Sequence, residues 1–136
     1  MKLIAKTIIS GVILTATSFS FVNEAKANDV ERLVSSLCES AKADDRSGMR
    51  KKLKTARLRL RNIYEGISCG SEGSLLRVAT TSGSLEAATF IATKLGKENL
   101  GVAEADGKTI LQYAQGLVDA GDTSKKAFVE LYQSKI

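Results

Sequence analysis

The sequence predicts an all-α domain: a disulfide-stapled helical hairpin followed by stacked pairs of short helices. Three observations lead there. Proline is absent from all 136 residues, which favours uninterrupted helices over strand-and-turn architecture. Apolar residues recur at helical period along most of the chain after Asp29. The only two cysteines, Cys38 and Cys69, bracket Arg46 to Arg61, sixteen residues with eight basic side chains and no acid.

The N-terminus reads as an export leader over 1–27. Lys2 and Lys6 precede an uncharged run from Thr7 to Asn23, and Ala25-Lys-Ala27 sets small residues where a signal peptidase reads them. That run is shorter than the roughly 20 apolar residues of a spanning helix, so cleavage after Ala27 is expected, with no membrane span after processing. A single helical domain over 28–136 would remain, in an oxidising compartment, periplasmic or secreted. It carries 17 basic and 14 acidic side chains, a mild excess, so the clustering of charge is more informative than the total.

The first helix follows a cap at Asn28 or Asp29, and Val30, Leu33, Val34, Leu37, Cys38 and Ala41 form its apolar stripe. Asp44, Asp45 or Ser47 can cap the second. Met49, Leu53, Ala56, Leu60, Ile63 and Tyr64 would face its core, while Arg50, Lys54, Arg57 and Arg61 would make one continuous basic stripe. Lys51, Lys52 and Arg59 would widen it. An even cysteine count in an exported chain favours a Cys38–Cys69 bond; the alternative is two reactive thiols. The bond carries a geometric tension. A straight helix from Ser47 to Glu65 would end ~27 Å from its start at 1.5 Å per residue. Either the helix stops early or the chain doubles back before Cys69.

After Gly73 two short helices are expected, separated by Gly83. The second has Leu85, Ala88, Ile91, Ala92 and Leu95 inward and is stopped by Gly96. This segment resembles an ankyrin repeat: Ser74, Leu76, Ala79, Gly83 and Glu86 fall at its Thr, Leu, Ala, Gly and Glu positions. Thr109, Leu111 and Ala114 match Ser74, Leu76 and Ala79 at a constant offset of 35, near the ankyrin period of 33. The ankyrin histidine and proline positions are not kept. A last helix, Lys125 to Lys135, would pack through Ala127, Phe128, Leu131 and Tyr132. The resemblance implies ankyrin-like stacked helix pairs and a protein-binding role.

The chain after the leader also resembles a family of small exported bacterial two-cysteine proteins with a domain of unknown function. The resemblance rests on Leu37-Cys38, Asp44-Asp45, Arg50 to Arg61, Ile63-Tyr64, Gly66-Ile67, Cys69 and Ser74 to Arg77. It implies export and cysteine pairing, and no activity.

The absence of histidine removes the commonest general base and metal ligand, and an oxidised cysteine pair removes thiolate chemistry. Gly101 to Thr109 looks like a phosphate loop, but five residues separate its glycines where four are needed. No enzyme, catalytic residue, cofactor or metal is therefore expected. The leading expectation is a non-enzymatic binding module for another envelope protein, with its groove in the helix pairs after Gly73. The alternative is binding of an anionic surface, lipid phosphate or polyanion, through Arg50, Lys54, Arg57 and Arg61. Nucleic acid is not expected, because no aromatic stacking residues interleave the basic run.

Overall fold

The computed structural model describes residues 29–136; the leader reading over 1–27 and the cap at Asn28 lie outside the described residues. Residues 29–33 are helical and fall in one compact unit, while 34–136 form the other. The described residues contain helices, 3-10 turns and no strand. Asp29 is already helical, and Val30, expected on the apolar stripe, is 62% exposed.

In the larger unit, α1 is helical over 34–42 and buries Leu37, Cys38 and Ala41. It ends at Asp44, which takes the left-handed conformation, φ 57°, while the Asp45 N–H reaches back to the Ser40 carbonyl at 2.9 Å. The neighbouring aspartates then cap two different helices. Asp45 accepts from the Gly48 N–H at 2.9 Å and opens α2, Arg46–Ala56. Asp44 accepts from the Ala87 N–H at 2.8 Å, near the start of a helix 43 residues further along the chain. Lys52, expected on the cationic surface, instead turns to α1 and donates to Ser40 Oγ at 2.5 Å and to the Ser36 carbonyl at 3.3 Å.

The tension over Cys69 is resolved by early termination. α2 stops at Ala56, with Met49 and Leu53 buried and Ala56 exposed. Arg57 is left-handed (φ 56°), its N–H bonding the Lys54 carbonyl, and the Leu58 N–H bonds the Leu53 carbonyl. These two bonds make a Schellman ending without glycine. Arg59 is extended, α3 spans Leu60–Ile63, and 3-10 turns follow at Tyr64–Gly66 and Gly70–Glu72. The chain thereby doubles back, and Cys69 bonds Cys38 with their Cα atoms 5.7 Å apart. The Lys42–Glu72 ion pair at 2.6 Å joins the same two segments, but both side chains are largely exposed and it adds little.

α4 (Leu75–Ser82) opens on Ser74, whose hydroxyl accepts from the Arg77 N–H, and closes on Gly83 at φ 74°. α5 spans Leu85–Leu100 with a break at Gly96 (φ 79°, ψ 167°), so the expected stop is a kink followed by one more turn. Ala88, Ile91, Ala92 and Leu95 face inward as expected, joined by Ala87 and Phe90; Leu85 is 40% exposed. α6 (Ile110–Asp119) opens on a capping box between Thr109 and Gln112, and α7 (Lys126–Lys135) follows a 3-10 turn at Thr123–Lys125. In α7 the buried residues are Phe128, Val129 and Tyr132, with Ala127 exposed.

α5 is the centre of the unit, packing against α2, α3, α4 and α7. Each fully buried Leu or Ile along it contributes about 1.5–3 kcal/mol relative to exposure. α4 also packs on α6, and α6 on α7. Inside this core Thr80 donates to the Leu76 carbonyl at 2.6 Å and meets the Tyr132 hydroxyl at 2.7 Å.

Candidate functional site

The early end of α2 reshapes the basic segment. Arg50, Lys54, Arg57 and Arg61 do not form one helical stripe: Arg50 and Lys54 lie on α2, Arg57 on the left-handed turn, and Arg61 on α3. The structure nevertheless gathers three of them. Arg50, Lys54 and Arg61, with Arg59 and with Lys94 from α5, line a cleft of ≈ 430 Å³. Leu53, Leu60 and Phe90 form its apolar floor and are all buried. Arg57 is not on its lining.

The Arg50 guanidinium lies 5.8 Å and the Lys94 ammonium 5.7 Å from the centre of the Phe90 ring, so two cations share one aromatic ring. Among the described residues no acid lines the cleft. Among the described residues, none of its five cations takes part in an ion pair. Chain topology explains the convergence: the Schellman turn folds α3 back against α5, carrying Arg59 and Arg61 towards the α5 residue Lys94.

A second cleft of ≈ 570 Å³ lies on the other side of Arg61, which lines both. Three of its charged residues, Arg77, Glu104 and Asp106, satisfy one another. Glu104 accepts from the Tyr64 hydroxyl at 3.0 Å, the Ser74 hydroxyl at 3.0 Å and Arg77 Nε at 2.6 Å. Arg77 also holds both Asp106 oxygens, at 2.8 and 2.6 Å, and its guanidinium lies 4.4 Å from the centre of the Tyr113 ring. Burial, reinforced by the Glu104 charge, pushes the Tyr64 hydroxyl far above its ordinary range. The hydrogen bond to Asp106 first, and then Glu104, raises Arg77 further, and Arg77 in turn lowers Asp106 to about 2. Glu104 and Asp106 thus clasp the start of α4. Their loop had a sequence signal as a failed phosphate motif and, from Asp106, as the opening of a second ankyrin-like unit, and neither pointed to Arg77.

Among the described residues no cluster of His, Cys, Asp or Glu could hold a metal ion. One Ser–Lys pair does come together, Ser40 with Lys52, but Ser40 is 3% exposed and lines neither cleft, so the pair acts as a tie between α1 and α2. The disulfide uses both cysteines, and none is left as a thiol. Among the described residues no helix is long and apolar enough to cross a membrane.

Residues 37–102 match the model of a family described as "Protein of unknown function (DUF3718)", which supports an uncharacterised family for this chain. The matched stretch takes in both cysteines and the entire cationic cleft, whereas Glu104 and Asp106 fall beyond it. No curated protein and no solved structure matches the chain.

Proposed function

We propose that this chain is a non-enzymatic binding module of the periplasm or the secreted space, and that its cationic cleft seats an anionic group. The carrying observation is the set Arg50, Lys54, Arg59, Arg61 and Lys94: among the described residues, five cations and no acid line one cleft. Such crowding weakens the fold by a few tenths of a kcal/mol for each close like-charged pair, and a bound anion relieves that cost. Three guanidinium groups suit the planar, two-pronged recognition of phosphate or carboxylate oxygens. The disulfide is compatible with an extracellular setting, and cleavage of the 1–27 leader belongs to the same proposal.

Calorimetric titration with inorganic pyrophosphate tests this reading. Binding should weaken steeply between low and physiological salt, and reversing Arg50, Lys54, Arg61 and Lys94 to Glu should abolish it while helical circular dichroism persists. Salt-independent binding, or binding that survives the reversal, would reject it.

A second reading retains an envelope protein as partner, docked on ankyrin-like helix pairs. It is favoured by the packing of α4 on α5, α6 on α7, α4 on α6 and α5 on α7, two helix pairs laid side by side. A crosslinked pull-down from envelope fractions separates the two, because a protein partner of that surface should survive the charge reversal.

A further inference from the structure

Resting on the anion-binding reading, we propose that the cationic cleft and the turn beside it dock on the headgroup layer of an anionic phospholipid bilayer, with Leu58 entering the interface. Residues 54–59 are exposed without interruption, so the end of α2 stands out from the fold as a turn. At its tip Leu58 is 41% exposed and lines the cleft. Leu85, Val102 and Ile136 are also exposed large apolar residues, and none of them lines it.

A Schellman ending usually tucks the residue at this position against the one five before it, here Leu53. Leu53 is buried at 7% exposure, while Leu58 keeps 41% of its surface in water, flanked by Arg57 and Arg59. A soluble anion has no use for that leucine. A bilayer surface answers both features together: headgroup phosphates meet the arginine and lysine heads, and the leucine enters the acyl boundary just beneath them. Charge complementarity selects this occupant, since among the described residues the cleft lining carries five cations and no acid. The contact is peripheral, in keeping with the absence of any long apolar helix among the described residues.

The chain contains no tryptophan, so Leu58→Trp supplies a single fluorescent reporter at the turn. With vesicles of phosphatidylglycerol and phosphatidylcholine, its emission should shift to the blue; with phosphatidylcholine alone or inorganic pyrophosphate it should not. In co-sedimentation Leu58→Ser should weaken anionic-vesicle binding about fivefold or more through lost interfacial burial. Each of Arg50→Glu and Arg61→Glu should weaken it at least about fivefold as well. Pyrophosphate binding without vesicle binding, or vesicle binding indifferent to Leu58→Ser, overturns the bilayer assignment and leaves the anion reading standing. Failure to bind either probe overturns both.

Discussion

Arg57→Gly should make the protein more stable while removing a positive charge from its most basic segment. Arg57 sits at φ 56°, ψ 39°, where its Cβ crowds the backbone. For an L-residue that conformation costs about 1–2 kcal/mol. Glycine avoids this cost, but its freer unfolded chain takes back roughly 0.5–1 kcal/mol. Removing a charge three residues from Lys54 adds a few tenths in the same direction. Among the described residues the Arg57 side chain has no ion pair to lose. The net expectation is a gain of about 0.5–1 kcal/mol, read as a higher urea midpoint at unchanged slope in the oxidised protein. Arg57→Ala is the control, because it removes the charge and keeps the backbone cost. Glycine should exceed alanine by about 0.5 kcal/mol, the net gain less the charge contribution that both variants share. If the two variants unfold together, or glycine is the weaker, the left-handed ending of α2 is not where strain resides. Pyrophosphate affinity should fall only slightly in either, since Arg57 does not line the cleft.

The Thr80–Tyr132 pair predicts an asymmetric cycle. Thr80→Val strands a hydroxyl on a side chain with 0% exposure and should cost about 1–3 kcal/mol, Tyr132→Phe about 1 kcal/mol, and the double variant less than their sum in urea unfolding. Burial raises both Tyr64 and Tyr132 far above the ordinary tyrosine value. Their contribution is therefore complete below pH ~10 and lost above it, as the unfolded chain ionises first. Tyrosinate absorbance at 295 nm from these two should rise only together with loss of helical circular dichroism; a rise on an intact helix spectrum would contradict their burial. Asp106 has the opposite sign. Held at about 2 by Arg77, against an ordinary 3.8, it contributes fully above the higher value and loses its contribution as pH falls through the lower. Asp106→Asn should flatten the acid limb of the stability profile in that window, and an unchanged limb would show that the clasp does not form.

Local chemistry was the legible part of the fold. Asp45 caps a helix, Gly83 ends one, and the cysteines pair, each a matter of residue type within a few positions. The end of α2 was hidden because an arginine holds the place where glycine or asparagine ordinarily marks such an ending. A weaker signal was present: Arg57-Leu-Arg-Leu-Arg61 alternates with period two, which no continuous helix face explains. The cleft itself was only half visible. Arg50, Lys54 and Arg61 were in view, but Phe90 and Lys94 join them through packing of α3 on α5, a contact between distant segments that helical periodicity cannot express. The same holds for Glu104 and Asp106, which reach Arg77 across more than twenty residues of chain. Lys52 was misassigned to the surface because sequence spacing says nothing of a serine waiting on the facing helix.

The sulfur bridge has a consequence for how this molecule withstands proteases. Residues 54–59 offer Lys54, Arg57 and Arg59 to any trypsin-like enzyme, on the most accessible stretch of the basic segment. That stretch lies wholly between Cys38 and Cys69. A single cut there opens the polypeptide without dividing it: both pieces stay covalently joined and migrate as one species until a reductant separates them. Nicked molecules would thus keep the two sides of the wound tethered, rather than release a diffusible cationic fragment.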